Sequence, residues 1–414
     1  MPETPDIIVK ETHRVYVPGT RAYVTERLSA LYPDEIMYHT ETLGFKVGGK
    51  NLNQFLNSSL LQDFKKGKGT LLFYLFLESG FGHLEYIYDR LIVAHDIPSH
   101  RVLFIVASID EVKHNLTYAE KLNMPPVRTL LYDYYEQWVK VQIKDNIDYY
   151  MMKESPLTKT HLLKDFIFLT RDVRDQHDVD TNDHFRIGMR RTHRKVLFYS
   201  LAGKNLLDRG YVTFPKFYGD NLWIDKLHPE LKHYVASGKK MNVTLPLTLD
   251  DPVGEASKES IAFSNYLLSS KGPLDYYLDN SFINIVSETH FYTSVYDKRS
   301  CRCLTEKTFL PMSSKMPFII ASVPNTLELL KDMGYKTFDG LIDESYDKEL
   351  DDDSRLIKII NEIERLCNLD AVSLDKLKKE MLPIVEHNFN NLISKTNYIK
   401  EYKSYNGQSR CLYT

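Results

Sequence analysis

Cysteine is scarce. Four residues, Cys301, Cys303, Cys367 and Cys411, in a chain of 414 are too few for a disulfide-stapled scaffold, and one C-x-C pair without a second pair is a poor zinc signature. Neither a metal site nor a disulfide is expected. Net charge is nearly absent as well: 53 Lys and Arg against 56 Asp and Glu leave −3. That balance excludes binding of polyanions by bulk charge and confines any nucleic-acid contact to a local patch. No apolar run approaches the ~18 residues needed to span a bilayer. The opening M-P-E-T-P-D lacks the basic-then-apolar pattern of a secretory signal. A cytoplasmic chain with no membrane partner is expected, in which the sequons at Asn115 and Asn242 carry no meaning. Repeats and low-complexity linkers are missing too.

What is present is a globular composition, 43% hydrophobic and 26% charged, in a chain too long for one ordinary core. Continuous apolar runs at Leu71 to Leu77, Arg101 to Ala107 and Val127 to Tyr132 predict strands buried on both faces. Between them, Leu84 to Ala94 and Glu111 to Leu122 read as helices. The same grammar restarts with strands at Phe166 to Leu169, Tyr211 to Phe214, Ile283 to Val286 and Phe318 to Ala321. Helices are expected at Arg194 to Leu207, stopped by Gly210, and at Thr305 to Ser314. From Asp351-Asp352-Asp353, read as the acidic start of a helix, the chain reads as helical to about Tyr405. Strands alternating with helices give an α/β class with two doubly wound Rossmann-type domains facing across a cleft. The expected divisions are 1–155, 156–350 and C-terminal helices at 351–414 that pack back on the first domain.

Chemistry concentrates in V-S-E-T-H-F-Y-T-S-V-Y-D-K-R-S-C-R-C-L-T-E-K-T-F-L-P, from Val286. Glu288 lies just past a buried strand, where a carboxylate can accept two hydrogen bonds from vicinal sugar hydroxyls. Glu306 and Lys307 lie in the first turn of the next helix, where backbone amides and an ammonium can face a diphosphate. The alternative reading of Glu306 is that it serves its own helix start.

Leu304 to Asp347 carries L-T-E-K-T-F-L-P, M-P-F-I-I, G-Y-K-T-F and D-E-S-Y-D. With V-S-E-T-H-F before it, and F-I-F-L-T-R-D from Phe166 and R-R-T-H-R-K-V-L-F-Y-S-L from Arg190 upstream, this block resembles a family of predicted glycosyltransferases common in phage genomes. The resemblance spans about 165–347 and is faint before it. Thr170 stands where the family's usual form has Asn, and Ser108 where an asparagine is more usual.

The resemblance implies a GT-B architecture, with the C-terminal domain binding a nucleotide sugar (UDP-, GDP- or similar) and the N-terminal domain binding the acceptor. No cofactor or metal is required, because helix starts and basic side chains stabilise the leaving diphosphate. Donor-binding candidates are Arg171, Arg194, Glu288, Thr289, Thr305, Glu306 and Lys307. Asp178-Val179-Asp180, formally the D-x-D metal motif of the other large glycosyltransferase fold, reads as a loop.

Candidate bases are Glu78 and His83, beside two glycines. The expected acceptor is hydroxymethylated pyrimidine in phage DNA, in a host cytoplasm, with Lys65, Lys66, Lys68, Arg190 and Arg191 meeting phosphates. The alternatives are a glycan or protein acceptor, or a non-catalytic nucleotide-sugar-binding protein of the same fold. The aromatic group Tyr132, Tyr134, Tyr135 and Trp138 reads as core for at least half its members.

Overall fold

The computed structural model describes residues 37–40, 66, 70–75, 81–170, 173, 191–215, 226–241, 243–245, 247–249, 273–293, 301–394, 398–402 and 409–413. Four parallel strands come first: β1 (Met37–Thr40), β2 (Thr70–Leu75), β3 (Val102–Val106) and β4 (Arg128–Leu131). Helix α1 (Phe81–Ile87), continued by a π-helical turn at Tyr88–Val93, follows β2; α2 (Ile109–Lys121) follows β3; α3 (Tyr134–Asp145) and α4 (Ile147–Met152) follow β4. Alternate residues of β3 enter different cores. Val102, Phe104 and Val106 pack with α1 and α2, whereas Leu103 and Ile105 pack on the other face. That two-sided burial is why the strand reads as an unbroken apolar run.

A second, wholly parallel sheet has the order β6-β5-β7-β8, from β5 (Lys164–Leu169), β6 (Gly210–Thr213), β7 (Ser281–Ser287) and β8 (Phe318–Ala321). Its helices are α5 (Thr192–Gly203), α6 (Pro229–Lys240), α7 (Pro273–Asp279), α8 (Glu306–Ser313) and α9 (Thr326–Asp332). The architecture is α/β and compatible with a Rossmann-like fold. Among the described residues no helix is long and apolar enough to cross a membrane.

Two expectations need correction. Helix α5 begins at Thr192 and ends at Gly203, so Gly210 is not its stop: Asn205, with φ of 57°, turns the chain, and Gly210 opens β6. The C-terminal region is not helical throughout. After α10 (Asp352–Cys367) and α11 (Ala371–Ser394), the chain forms β9 (Tyr398–Tyr402) and β10 (Ser409–Tyr413). This antiparallel pair joins the first sheet through β4, with Leu130 opposite Glu401. The first sheet thus has the order β1-β2-β3-β4-β9-β10 and includes both early and late chain. Asp351 caps α10, accepting from the Ser354 amide at 2.8 Å, and so acts as a helix start.

The D-E-S-Y-D segment is scaffolding. Glu344 accepts from the Phe338 amide at 2.6 Å and the Thr337 hydroxyl at 2.7 Å, fixing K-T-F. Asp347 receives the Leu327 amide at 3.0 Å in the first turn of α9, and Tyr346 is buried under β8.

Helices α5 and α6 touch backbone to backbone where Gly203 meets Gly238. A Cβ on Gly238 would lie 2.0 Å from the Tyr199 carbonyl oxygen, and one on Gly203 would lie 2.2 Å from that of Tyr234. In a free helix Gly→Ala is stabilising by ~0.5–1 kcal/mol. Here the sign should reverse: Gly238→Ala is expected to cost about 1–3 kcal/mol through overpacking, measured as a lower denaturation midpoint at unchanged m-value.

Candidate functional site

Strand β7 is buried along its whole length, so its last residues emerge from the sheet as one rigid unit. The Glu288 amide still pairs with the Ala321 carbonyl at 3.0 Å, which fixes the direction of its side chain. That carboxylate is 0% exposed. Oε1 accepts from the Thr305 amide at 2.9 Å and the Thr308 hydroxyl at 2.6 Å; Oε2 accepts from the Thr305 hydroxyl at 2.8 Å and the Thr289 amide at 3.2 Å. Four donors saturate a carboxylate's acceptor sites. Glu288 therefore holds the start of α8 and has no lone pair left for sugar hydroxyls, which corrects the expectation of direct contact.

Thr305 is the N-cap of α8. Its hydroxyl donates to Glu288 and accepts from the Lys307 ammonium at 2.8 Å and the Lys307 amide at 3.4 Å. This arrangement sets Lys307 Nζ 3.2 Å from Glu306 Oε1 and 4.0 Å from Glu288 Oε2. Both side chains lie on the rim, at 14% and 13% exposure. The cap is Thr305 and not Glu306, so the carboxylate of Glu306 is not consumed by the capping role the sequence offered it.

The carbonyl side of the same strand end is held by α5. Arg194 Nη2 donates to the carbonyls of Ser287 at 3.0 Å and Glu288 at 3.1 Å, and His193 Nε2 lies 3.1 Å from the Glu288 carbonyl. A carbonyl only accepts, so the imidazole carries its proton on Nε2, and Nδ1 is buried without a partner. The ring stacks on Phe291 at 4.8 Å. Burial, and then the Arg194 charge, hold the His193 pKa well below the ordinary value. Beyond it, Arg355 lies over the Phe291 ring and donates to the Phe291 carbonyl at 2.5 Å, while Asp352 receives the Thr293 amide at 3.0 Å.

Of the donor candidates, Glu288, Thr289, Thr305, Glu306 and Lys307 converge, but only Glu306 and Lys307 face outward; Thr289 is fully buried. Arg194 is corrected as well: it is buried, with Nη2 committed to backbone carbonyls, and does not face a diphosphate. Arg191 is half-buried at the N-cap of α5, and Lys66 is exposed. Arg171, Arg190, Glu78, Lys65, Lys68, Asp178 and Asp180 lie outside the described residues, and His83 is described only as part of α1. Tyr132, Tyr134 and Tyr135 are core residues, with Trp138 packed against that core.

Three supports went unread in the sequence. Thr308 sits one turn into α8 at a spacing that places it beside Thr305, and the apolar-looking T-H-R-K start of α5 conceals His193. Arg302 lies inside the C-R-C stretch. It makes a two-pronged ion pair with Asp110 of α2, Nη2 to Oδ1 at 2.6 Å and Nε to Oδ2 at 3.0 Å, and its amide also reaches Asp110 at 3.0 Å. Burial pushes the Asp110 pKa up, but the Arg302 guanidinium and amide outweigh it and hold it below the usual range. Cys301 and Cys303 are buried free thiols in this joint.

Comparisons with protein-family models, with curated proteins and with solved structures give no match for this chain.

Two measurements check this account. Glu288→Gln turns a donor toward groups that themselves donate, and is expected to cost at least ~1.5–3 kcal/mol, the range for hydrogen bonds to a charged partner, against about 1 kcal/mol for Thr308→Val. His193 is neutral when folded and has its ordinary pKa of about 6.5 when unfolded. Its contribution is complete above that pH and is lost on acidification, with a slope of up to ~1.4 kcal/mol per pH unit. Urea midpoints of wild type and His193→Phe between pH 7 and 5 should diverge on this basis, the variant showing the shallower acid slope.

Proposed function

We propose that this chain is a glycosyltransferase that takes its sugar from a nucleotide-sugar donor, with the donor's diphosphate at the start of α8. One observation carries the reading: the Lys307 ammonium is pre-positioned at 2.8 Å on the capping hydroxyl of Thr305, beside Glu306, where a parallel strand ends and a helix begins. A helix start directs unpaired amides and a partial positive charge outward. An ammonium held at that point needs little reordering to meet phosphate oxygens. Glu306 on the same rim is placed to accept from sugar hydroxyls, the role the buried Glu288 is unable to fill.

The fold supports this reading without carrying it. Two parallel-stranded sheets, with the chain returning from the second to the first through α11 and β9, have the arrangement expected of facing GT-B domains. Ligands of such sheets bind outside the carboxyl ends of the strands, which is where β7 delivers Glu288. The acceptor that the sequence resemblance implies is hydroxymethylated pyrimidine in duplex DNA, with a glycan or protein hydroxyl as the alternative.

Titration with UDP- and GDP-sugars tests the donor site. Lys307→Ala and Glu306→Ala are each expected to weaken donor binding by tenfold or more, as loss of a charge-assisted contact implies. A rim carboxylate in a first turn contributes only ~0.3–1 kcal/mol to its helix, so melting should barely change for Glu306→Ala. A large drop in melting temperature with donor affinity retained would reverse the assignment. Absence of donor hydrolysis or transfer, with binding intact, would identify a non-catalytic binder. For a DNA acceptor, transfer should fall steeply with salt, by roughly −0.9 in log–log slope per phosphate contact; a glycan acceptor would show little dependence.

A further inference from the structure

A second cavity lies away from Lys307, where the two sheets meet. It measures about 240 Å³, below the ~300–1,000 Å³ typical of drug-sized ligand sites, so it has room for one small ring. One side comes from the carboxyl ends of β3 and β4 and the start of α3, the other from α8, α9 and the segment leading into α8. Its apolar surface is formed by Leu131, Leu304, Phe309 and Met333. Its charged surface is formed by Asp133, Glu136, Asp332 and Arg302.

Glu136 gives this cavity a fixed polar wall. The residue is 1% exposed and yet lines the cavity, and its Oε1 receives the Tyr335 hydroxyl at 2.5 Å across the joint between the sheets. A buried carboxylate is costly to keep, and this one is oriented by a partner that is itself buried. Opposite in chemistry is Arg302, whose charge is already matched by Asp110 at 2.6 Å.

We propose that this cavity binds a neutral, hydroxyl-rich ring of monosaccharide size. Three carboxylates against one paired guanidinium repel an anion, which disfavours a phosphorylated ligand. Carboxylates only accept hydrogen bonds and a guanidinium only donates them. A hydroxyl does both, and is complementary to the two kinds of wall at once. The C–H face of a sugar ring then meets Leu131, Leu304, Phe309 and Met333. The lining comes from both sheets, so an occupant also stabilises their junction. This assignment stands apart from the donor site and does not depend on transfer.

The test is titration of the full chain, by calorimetry or saturation-transfer NMR, with glucose, galactose and N-acetylglucosamine, and with glucose 6-phosphate and putrescine as charged counterparts. At least one neutral sugar should saturate, with both charged probes about tenfold weaker or worse, the effect of setting an unmatched charge against the lining. Ala107→Phe, which fills the cavity, should abolish binding. Asp332→Asn, at an exposed position, should weaken it severalfold without altering the melting temperature. Lys307→Ala should leave it unchanged, which separates this site from the donor site. No saturation by any neutral sugar, equal or tighter binding of either charged probe, or loss of binding in Lys307→Ala would overturn the proposal. So would undiminished binding in both cavity variants; should Ala107→Phe not fold, Asp332→Asn decides alone.

Discussion

The burial of one carboxylate, Glu288, constrains everything near it. A charge removed from water must be matched by hydrogen bonds with good geometry or it destabilises the fold by several kcal/mol. Glu288 finds four, three of them from the first turn of α8 and its cap. Strand end and helix start are thereby fastened to each other and cannot move independently. The opposite side of the same residue is fixed through its carbonyl by Arg194 and His193, and the loop beyond it through Phe291 by Arg355. Three helices, α5, α8 and α10, are thus anchored within a few residues of one strand end.

The two sheets are joined by a second set of contacts with similar logic. Arg302 links the segment before α8 to Asp110 at the start of α2, and also reaches the Asn325 carbonyl at 3.4 Å. Tyr335 links the end of α9 to Glu136 of α3. Between these polar points the core is continuous: Leu103 and Ile105 of β3 share it with Phe166 of β5, Ile285 of β7 and Leu392 of α11. The late strand β9 adds backbone pairing to β4. Relative motion of the sheets would need to break charge pairs, apolar contact and a β-ladder together.

Parallel strands were legible because burial on both faces turns them into unbroken apolar runs; Phe318 to Ala321 is found where the run predicts it. Strands β9 and β10 were not, since Y-I-K-E-Y and S-R-C-L-Y are short and mixed, and the pairing that makes β9 a strand is with β4, far upstream. The end of α5 was misread because Gly210 resembles a stop. The real terminus is Gly203, where close packing on α6 and not local turn chemistry demands glycine. At the site, strand-end and helix-start placement was enough to bring Glu288, Glu306 and Lys307 together. It was not enough to orient them. Which carboxylate turns inward is decided by the hydroxyls of Thr305 and Thr308, and their competition for Glu288 leaves no trace in spacing.

That competition also explains why the lysine sits where it does. A threonine hydroxyl has one proton and two lone pairs. Thr305 gives its proton to Glu288, so toward Lys307 it acts only as an acceptor, and the ammonium is drawn to it at 2.8 Å and stops 4.0 Å short of the carboxylate. The hydroxyl acts as a spacer. Direct contact with Glu288 would have drawn the ammonium into the core and neutralised it there. Held one hydrogen bond further out, it keeps part of its charge at the rim, 3.2 Å from Glu306, in line with the partial positive charge of the helix start. An inward carboxylate and an outward ammonium are therefore two ends of one hydrogen-bonded chain, and the same interactions that secure α8 to β7 set the electrostatic character of the surface it presents.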